Sequence, residues 1–416
     1  MPDPFDDLRR DVSHLGRILG EVLVEQEGLE LFELEERIRA LAKERRRRGR
    51  NESVTSRLED AVRALDAASA EKVARAFAHY FQLVNLAEQH HRSRRRRAYA
   101  REGRPQAGSF ADELAALAKR VPRERFEAIL AETRIELVFT AHPSEAQRRT
   151  VLEKSRRIAQ LLARCQRQEL TPDEKREAEL GLREEVTILW QTDEIRSERP
   201  RVGDEVKNTL FYLEEVLFPL VPRFYDALER AAAAAWRAPV RVPTILHFGS
   251  WVGADMDGNP NVTPEVAIDT AHAQCARILG LYEREASALG SVLSQSTRRV
   301  AASEELEASL ARDAQAMPAI ADGAIDRARE EPYRKKMRFV EARLQAARAN
   351  AIEARHAKAG AARAHAYDSP AELLADLDLV ARSLEANRGS HAGLRRVCAL
   401  RRQIETFGFH LAKLDV

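Results

Sequence analysis

Apolar residues recur every three or four positions along most of the chain, as in "LGRILGEVLVEQEGLELFELEERIRALAKERRRR" over 15–48. That period places the apolar side chains on one face of a helix, and Leu, Ala, Glu and Arg are strong helix formers. The same pattern predicts helices over 51–65, 71–99, 110–119, 123–131, 146–168, 172–190, 204–235, 264–293, 303–317, 325–358 and 370–387. Three short segments depart from it. "IELVFTAHP" (135–143), "VPTILHFGSWVGADMDGNP" (242–260) and "FGFHLAKLDV" (407–416) are rich in β-branched or aromatic residues and hold polar or turn residues, so they are the predicted strands.

Long helical stretches separate these segments. Strand, long helical excursion, strand is the order of parallel strands, in an open sheet or an α/β barrel, with chemistry expected just past the strands' C-terminal ends. The predicted fold class is therefore predominantly α-helical with a few parallel strands. A helical region over 1–130 precedes a strand-bearing region over 131–416. Segments 102–109 ("EGRPQAGS"), 197–203 ("SERPRVG") and 359–365 read as loops, and no fixed-period repeat is present.

Charge narrows the functional classes. Among 416 residues, 68 basic side chains face 66 acidic ones for a net charge of +2, so the whole-molecule field favours neither nucleic acid nor a membrane. The runs "KERRRRGR" and "HHRSRRRR" point arginines in all directions around a helix rather than along one stripe. No apolar run approaches the ~18 residues of a membrane span, and the polar, acidic N-terminus does not resemble a secretory signal. Cys165, Cys275 and Cys398 are odd in number and widely spaced, which argues against a disulfide framework or a structural zinc site. A cytoplasmic protein is expected.

Two stretches concentrate possible chemistry. In "VFTAHPSEAQRRT" (138–150) a strand delivers His142 to a turn, and Pro143 bars helix before it while suiting the start of one after it. Ser144, the N–H groups of the following helix, Arg148 and Arg149 would suit a phosphate-like anion beside an imidazole able to exchange a proton near neutral pH. A capped strand-to-helix junction with an idle histidine is the other reading, and the residues alone leave both open. In "GSWVGADMDGNPN" the spacing excludes an EF-hand: Gly258 is fourth from Asp255 where that loop needs glycine sixth, and the twelfth residue is Val266 rather than Glu. What remains is a strand opening into a tight turn that carries Trp251, Asp255 and Asp257, as a site loop or as a structural turn. In "WQTDEIRSERP" (190–200), Arg196 and Arg199 either bind an anion or pair with Asp193 and Glu194.

Taken together, "LVFTAHPSEAQRRT" and "GSWVGADMDGNPNVT", with "YFQLVNLAEQHHRSRRRR", "WQTDEIR" and "FGFHLAKLDV" in order, resemble the phosphoenolpyruvate carboxylase family from about residue 75 onward. The resemblance implies the first part of an α/β (TIM-like) barrel of eight strands wrapped by helices. It also implies a carboxy-lyase that forms oxaloacetate and phosphate from phosphoenolpyruvate and bicarbonate with Mg2+ or Mn2+. His142 would be the catalytic histidine, assisting collapse of carboxyphosphate to CO2. Arg148, Arg149, Arg196, Trp251 and Asp255 would lie around the substrate pocket.

Ser144 stands where the family has Thr and keeps the hydroxyl; Ala254 and Met256 stand where it has Gly and Arg. The resemblance further implies that the family's chain continues past Asp415-Val416 into an Arg-Gln pair, and that the metal-binding acids, a catalytic lysine and a mobile loop follow. The expectation is an N-terminal half with no metal ligands of its own: a truncated product, one part of a split enzyme, or a piece of a longer chain. It would be inactive alone, and either homotetrameric as a full-length protein or partnered by a separate C-terminal half. A non-catalytic helical scaffold derived from the family is the alternative.

Overall fold

The structure is a computed structural model that describes residues 3, 5–49, 51–140, 148–193, 201–323, 330–355, 363 and 365–415. Its helices are α1 (Asp6–Glu27), α2 (Leu29–Arg48), α3 (Glu52–Arg63), α4 (Ala67–Arg101), α5 (Phe110–Leu117), α6 (Arg123–Glu132), α7 (Arg149–Cys165), α8 (Pro172–Trp190), α9 (Val202–Tyr212), α10 (Phe218–Trp236), α11 (Pro264–Val292), α12 (Glu304–Ala316), α13 (Pro318–Gly323), α14 (Pro332–Arg355), α15 (Pro370–Ala386) and α16 (Leu394–Phe407). Three strands, β1 (Ile135–Phe139), β2 (Leu246–Ser250) and β3 (Lys413–Leu414), form one sheet in the order β1-β2-β3, and both pairings are parallel. The chain is thus mostly helical with a small parallel sheet. It divides into two compact units, Met1–Gln106 with Gln147–Arg199, and Ala107–Ala146 with Pro200–Val416.

The first unit holds helices and no strand among its described residues. Leu15, Leu19 and Val22 of α1 meet Leu83 of α4, Ile158 and Leu162 of α7, and Leu182, Val186 and Trp190 of α8 in one buried cluster. The predicted helix over 15–48 is in fact two, because Gly28 takes φ +91° and turns the chain between α1 and α2. A buried acid is tied in the same bundle: Asp11 accepts from Arg94 Nη1 at 3.1 Å and from the Gln166 amide.

The second unit carries the sheet on a helical core. Phe248 of β2 stacks on Phe407 of α16 with ring centroids 5.2 Å apart, and the Tyr225 hydroxyl of α10 accepts from the N–H groups of Ile245 and Leu246 at 3.0 and 2.9 Å. The predicted helix over 204–235 is interrupted by a π-helical turn at Leu213–Leu217, after which α10 contains Pro222. Proline has no N–H to give the carbonyl four residues back. The buried Gln403 of α16 supplies the missing donor, its Nε2 lying 2.9 Å from the Phe218 oxygen. Lys336, only 1% exposed, is matched by Ser309, Asp313 and Asp376 at 2.9, 2.8 and 2.6 Å, which joins α12, α14 and α15.

Two strand expectations need correction. Of 242–260 only Leu246–Ser250 is strand, and the rest forms an approach segment and a turn. Of the described residues 407–415 only Lys413–Leu414 is strand: Phe407 ends α16, and Gly408 and Leu411 take φ +52° and +56°, which no strand accommodates. The turn between them is anchored by the Tyr282 hydroxyl, which donates to the Gly408 carbonyl at 2.8 Å, and by Gln274 Oε1, which accepts from the Ala412 N–H at 3.0 Å.

Candidate functional site

The parallel register gathers the strand C-termini at one edge. Phe139 pairs with Ser250, Ser250 with Leu414, the Trp251 N–H donates to the Phe139 carbonyl at 2.9 Å, and the Asp415 N–H to the Ser250 carbonyl at 3.2 Å. Thr140, the turn that begins at Trp251, and Asp415 therefore leave the sheet side by side. This is the edge where parallel α/β folds place their chemistry, because loops there converge from several strands.

The turn after β2 is built by its own backbone. The Trp251 carbonyl accepts from both Ala254 and Asp255 N–H at 2.9 Å, and the Val252 N–H donates to Ser250 Oγ at 3.1 Å. Gly253 is obligatory here: it takes φ +81°, and a Cβ would come within 2.6 Å of Thr270 Oγ1 and 2.7 Å of Val206 Cγ2. Asp255, half-buried, accepts the Gly258 N–H at 2.9 Å, and Asn259 Oδ1 takes the Asn261 N–H at 3.0 Å. Thr263 then caps α11 and Pro264 opens it. The carboxylate and amides thus serve the turn, and the turn in turn presents Trp251, whose indole N–H donates to Asp415 Oδ2 at 3.1 Å.

The two departures from the family pattern fare differently. The Ala254 methyl is completely buried, so the extra carbon is accommodated by packing, whereas Met256 is exposed at the tip of the turn. A charged side chain at that tip would reach solvent or a ligand. A thioether offers only weak acceptor capacity.

Arg148 and Arg149 lie in the helical unit at the start of α7. Arg148 is its N-cap residue and comes 3.6 Å from Asp193 through Nη2, and Arg149 Nε donates to Glu153 at 2.8 Å. Asp193 is the acid that the sequence offered to Arg196 or Arg199; among the described residues it lies beside Arg148. His142, Arg196 and Arg199 lie outside the described residues, as do Ser144, Glu145 and most of the predicted loops over 197–203 and 359–365. Trp251 and Asp255 are brought together in one turn. Asp415 is the residue that sequence reasoning missed: an acid at the end of a strand carries no signal that an indole 164 positions away will meet it.

Among the described residues no group of three or more His, Cys, Asp or Glu side chains converges on one point. Asp255 and Asp415 already accept from Gly258 and Trp251. These residues do not fit a divalent-ion site. Cys165, Cys275 and Cys398 are free thiols, and among the described residues no helix is long and apolar enough to cross a membrane.

Comparison with known proteins bears on the whole chain. The family model described as phosphoenolpyruvate carboxylase matches residues 8–416. A phosphoenolpyruvate carboxylase of Xanthomonas oryzae pv. oryzae is 39% identical over 412 residues, covering 98% of this chain and 44% of the relative. Enzymes of the same name from Roseiflexus castenholzii and Nitrosomonas europaea are 38% and 37% identical over 98% of the chain, covering 44% and 43% of their own lengths. The chain therefore spans less than half the length of the curated relatives it matches. A match from residue 8 to the last residue, through both units and the Trp251 turn, admits one conclusion: the chain belongs to the phosphoenolpyruvate carboxylase family.

Proposed function

We propose that this chain supplies the histidine-bearing part of a phosphoenolpyruvate carboxylase, which makes oxaloacetate and phosphate from phosphoenolpyruvate and bicarbonate. The observation that carries the reading is the common edge at which β1, β2 and β3 end, with Trp251 hydrogen-bonded to Asp415 beside the exit of the strand that leads to His142. The family match supports it over the full length of the chain. The three strands are read as the first staves of a TIM-like barrel, with 1–130 as an N-terminal helical region and 131–416 as the barrel's first strands with long helical insertions. The setting is read as cytoplasmic, and the assembly as a homotetramer of full-length chains or a complex with a separate C-terminal half.

In this reading bicarbonate attacks the phosphorus of phosphoenolpyruvate to give carboxyphosphate and the enolate of pyruvate, His142 takes the proton of carboxyphosphate as it splits into CO2 and phosphate, and the enolate carbon attacks the CO2 to give oxaloacetate; imidazole suits the task because it exchanges protons near neutral pH. Arg148, Arg149 and Arg196 balance phosphate charge. Trp251, held by Asp415, walls the pocket and keeps water from short-lived intermediates. Mg2+ or Mn2+ would lower the charge barrier to phosphoryl transfer, and its ligands are assigned outside this chain. Met256 favours a second reading, a scaffold without catalysis, because it removes a cation from the turn.

The test is to combine this chain with the remaining portion of a family member and assay oxaloacetate. Carboxylation that requires both pieces, Mg2+ and bicarbonate is expected. A well-folded complex with no turnover would favour the scaffold.

A further inference from the structure

A concavity lies in the sheet-bearing unit, at the opposite end of the strands from Trp251. It is a groove of about 610 Å³ between α10, the segment Pro239–Arg241 that leads into β2, and α16. Its floor is structural. Arg402 lies over the Tyr225 ring at 4.4 Å and donates to Glu229, Glu405 and the Val242 carbonyl at 3.0, 3.1 and 2.9 Å. Arg401 is likewise paired, with Asp378 and Glu405.

The walls are different. Arg223, Arg241, Arg395 and Arg396 are exposed and their side chains make no ion pair or hydrogen bond among the described residues, although all four face one groove. Asp226 and Glu229 are engaged by Arg230 and Arg402, which leaves Glu385 as the unengaged acid of the wall. Four unpaired guanidinium groups around one concavity repel one another, and the arrangement persists at a cost that a multivalent anion would remove. The cost is raised by position. Arg395 and Arg396 occupy the first turn of α16, which has no acidic residue and no side-chain cap, so their charges also oppose the helix dipole. A choice that breaks a local rule without a compensating contact in the fold is what a binding site looks like.

We propose that this groove binds an anion with two or more adjacent phosphate groups, of the size of inorganic pyrophosphate or a nucleoside diphosphate. Planar guanidinium forks match phosphate oxygens in pairs, and a groove of this volume falls within the range of small-ligand sites. Pro222, Pro239 and Val240 give it an apolar side on which the organic part of a nucleotide would rest. The proposal does not depend on the reading of the Trp251 edge, since β2 separates the two by about 17 Å at a rise of ~3.3 Å per residue.

The experiment is calorimetric titration of the 416-residue chain with pyrophosphate and, separately, with adenosine diphosphate. Arg395→Gln/Arg396→Gln and Arg223→Gln/Arg241→Gln are compared with a control on α2, Arg46→Gln/Arg47→Gln. Binding by the wild-type chain, weakened at least tenfold by either groove pair and less than twofold by the control, is expected. Because the first pair relieves charge at a helix N-terminus, its thermal midpoint is expected to be unchanged or higher. Equal affinity for the two probes locates recognition in the phosphates, and tighter diphosphonucleoside binding adds the apolar side. The proposal is overturned if the wild-type chain binds neither probe, or if the control pair weakens binding as much as the groove pairs do.

Discussion

β1 and β2 have the same length and run in register, yet they sit in opposite environments. Four of the five β2 residues are buried, and its neighbours come from α10 and α16; in β1, Ile135, Leu137 and Val138 are all exposed, at 41%, 49% and 46%. The pair Leu137 and Phe248 makes the contrast sharp, because they are register partners and only Phe248 has a stacking partner in the helical core. The lesson is that strand identity comes from sequence pattern, whereas strand stability comes from what the rest of the chain brings to each face. An exposed apolar edge strand is a pairing and aggregation surface, and the fold leaves β1 in that state.

Substitution at the register pair gives the largest effect on folding. Phe248→Ala is expected to destabilise the sheet-bearing unit by about 3–5 kcal/mol, against less than about 0.5 kcal/mol for Leu137→Ala, as read by denaturant unfolding. Similar costs for the two would mean that β1 is packed as well as β2. Next in size is Gln403→Leu, which removes the donor that replaces the proline-deleted N–H at Phe218. Leaving that carbonyl buried and unpaired is expected to cost about 1–3 kcal/mol, and Gln403→Glu should not restore it. A neutral Gln403→Leu would place the α10 break outside the stability of this unit.

The smallest effect is a pH dependence at the β1–β2 boundary. His247 lines a cavity with Arg134, Glu136, His410 and Lys413, and its pKa is lowered by burial first and by Arg134 second, with Glu136 opposing. A lowered folded-state pKa means that the unfolded chain binds the proton first as pH falls. The stability contributed by neutral His247 is therefore complete above about pH 6.5, the ordinary histidine value, and is lost as pH drops below it. His247→Gln should flatten that acid limb in thermal unfolding between pH 8 and 5. An unchanged limb would place the titration elsewhere, and His410 of the same cavity, whose pKa is also lowered by burial, is the next residue to test.

Much of the helical layout was legible because a three-to-four period of apolar residues survives any tertiary context. The breaks were less so. Gly28 was a visible signal for the turn between α1 and α2, but the π-helical turn at Leu213–Leu217 has no sequence mark apart from the prolines that follow it. α16 went unread although Leu394, Val397, Leu400, Ile404 and Phe407 keep helical spacing. The alternation of Phe407, Phe409 and Leu411 looks like a strand, and only the positive φ of Gly408 and Leu411 shows that it is a turn. At the site, the turn after β2 was legible from its glycines and acids. The bond from Trp251 to Asp415 was not, because it depends on β3 lying beside β2.

In the proposed function the edge at Trp251 and Asp415 belongs to a carboxylation site served by His142. Its most direct test is the His142→Asn variant in the complex assembled with the remaining portion of a family member, with oxaloacetate formation measured against the wild-type chain. A loss of about 10²–10⁴-fold in turnover, the usual share of a general acid–base group, is expected with assembly unchanged. Turnover within threefold of wild type in a correctly assembled complex would contradict it.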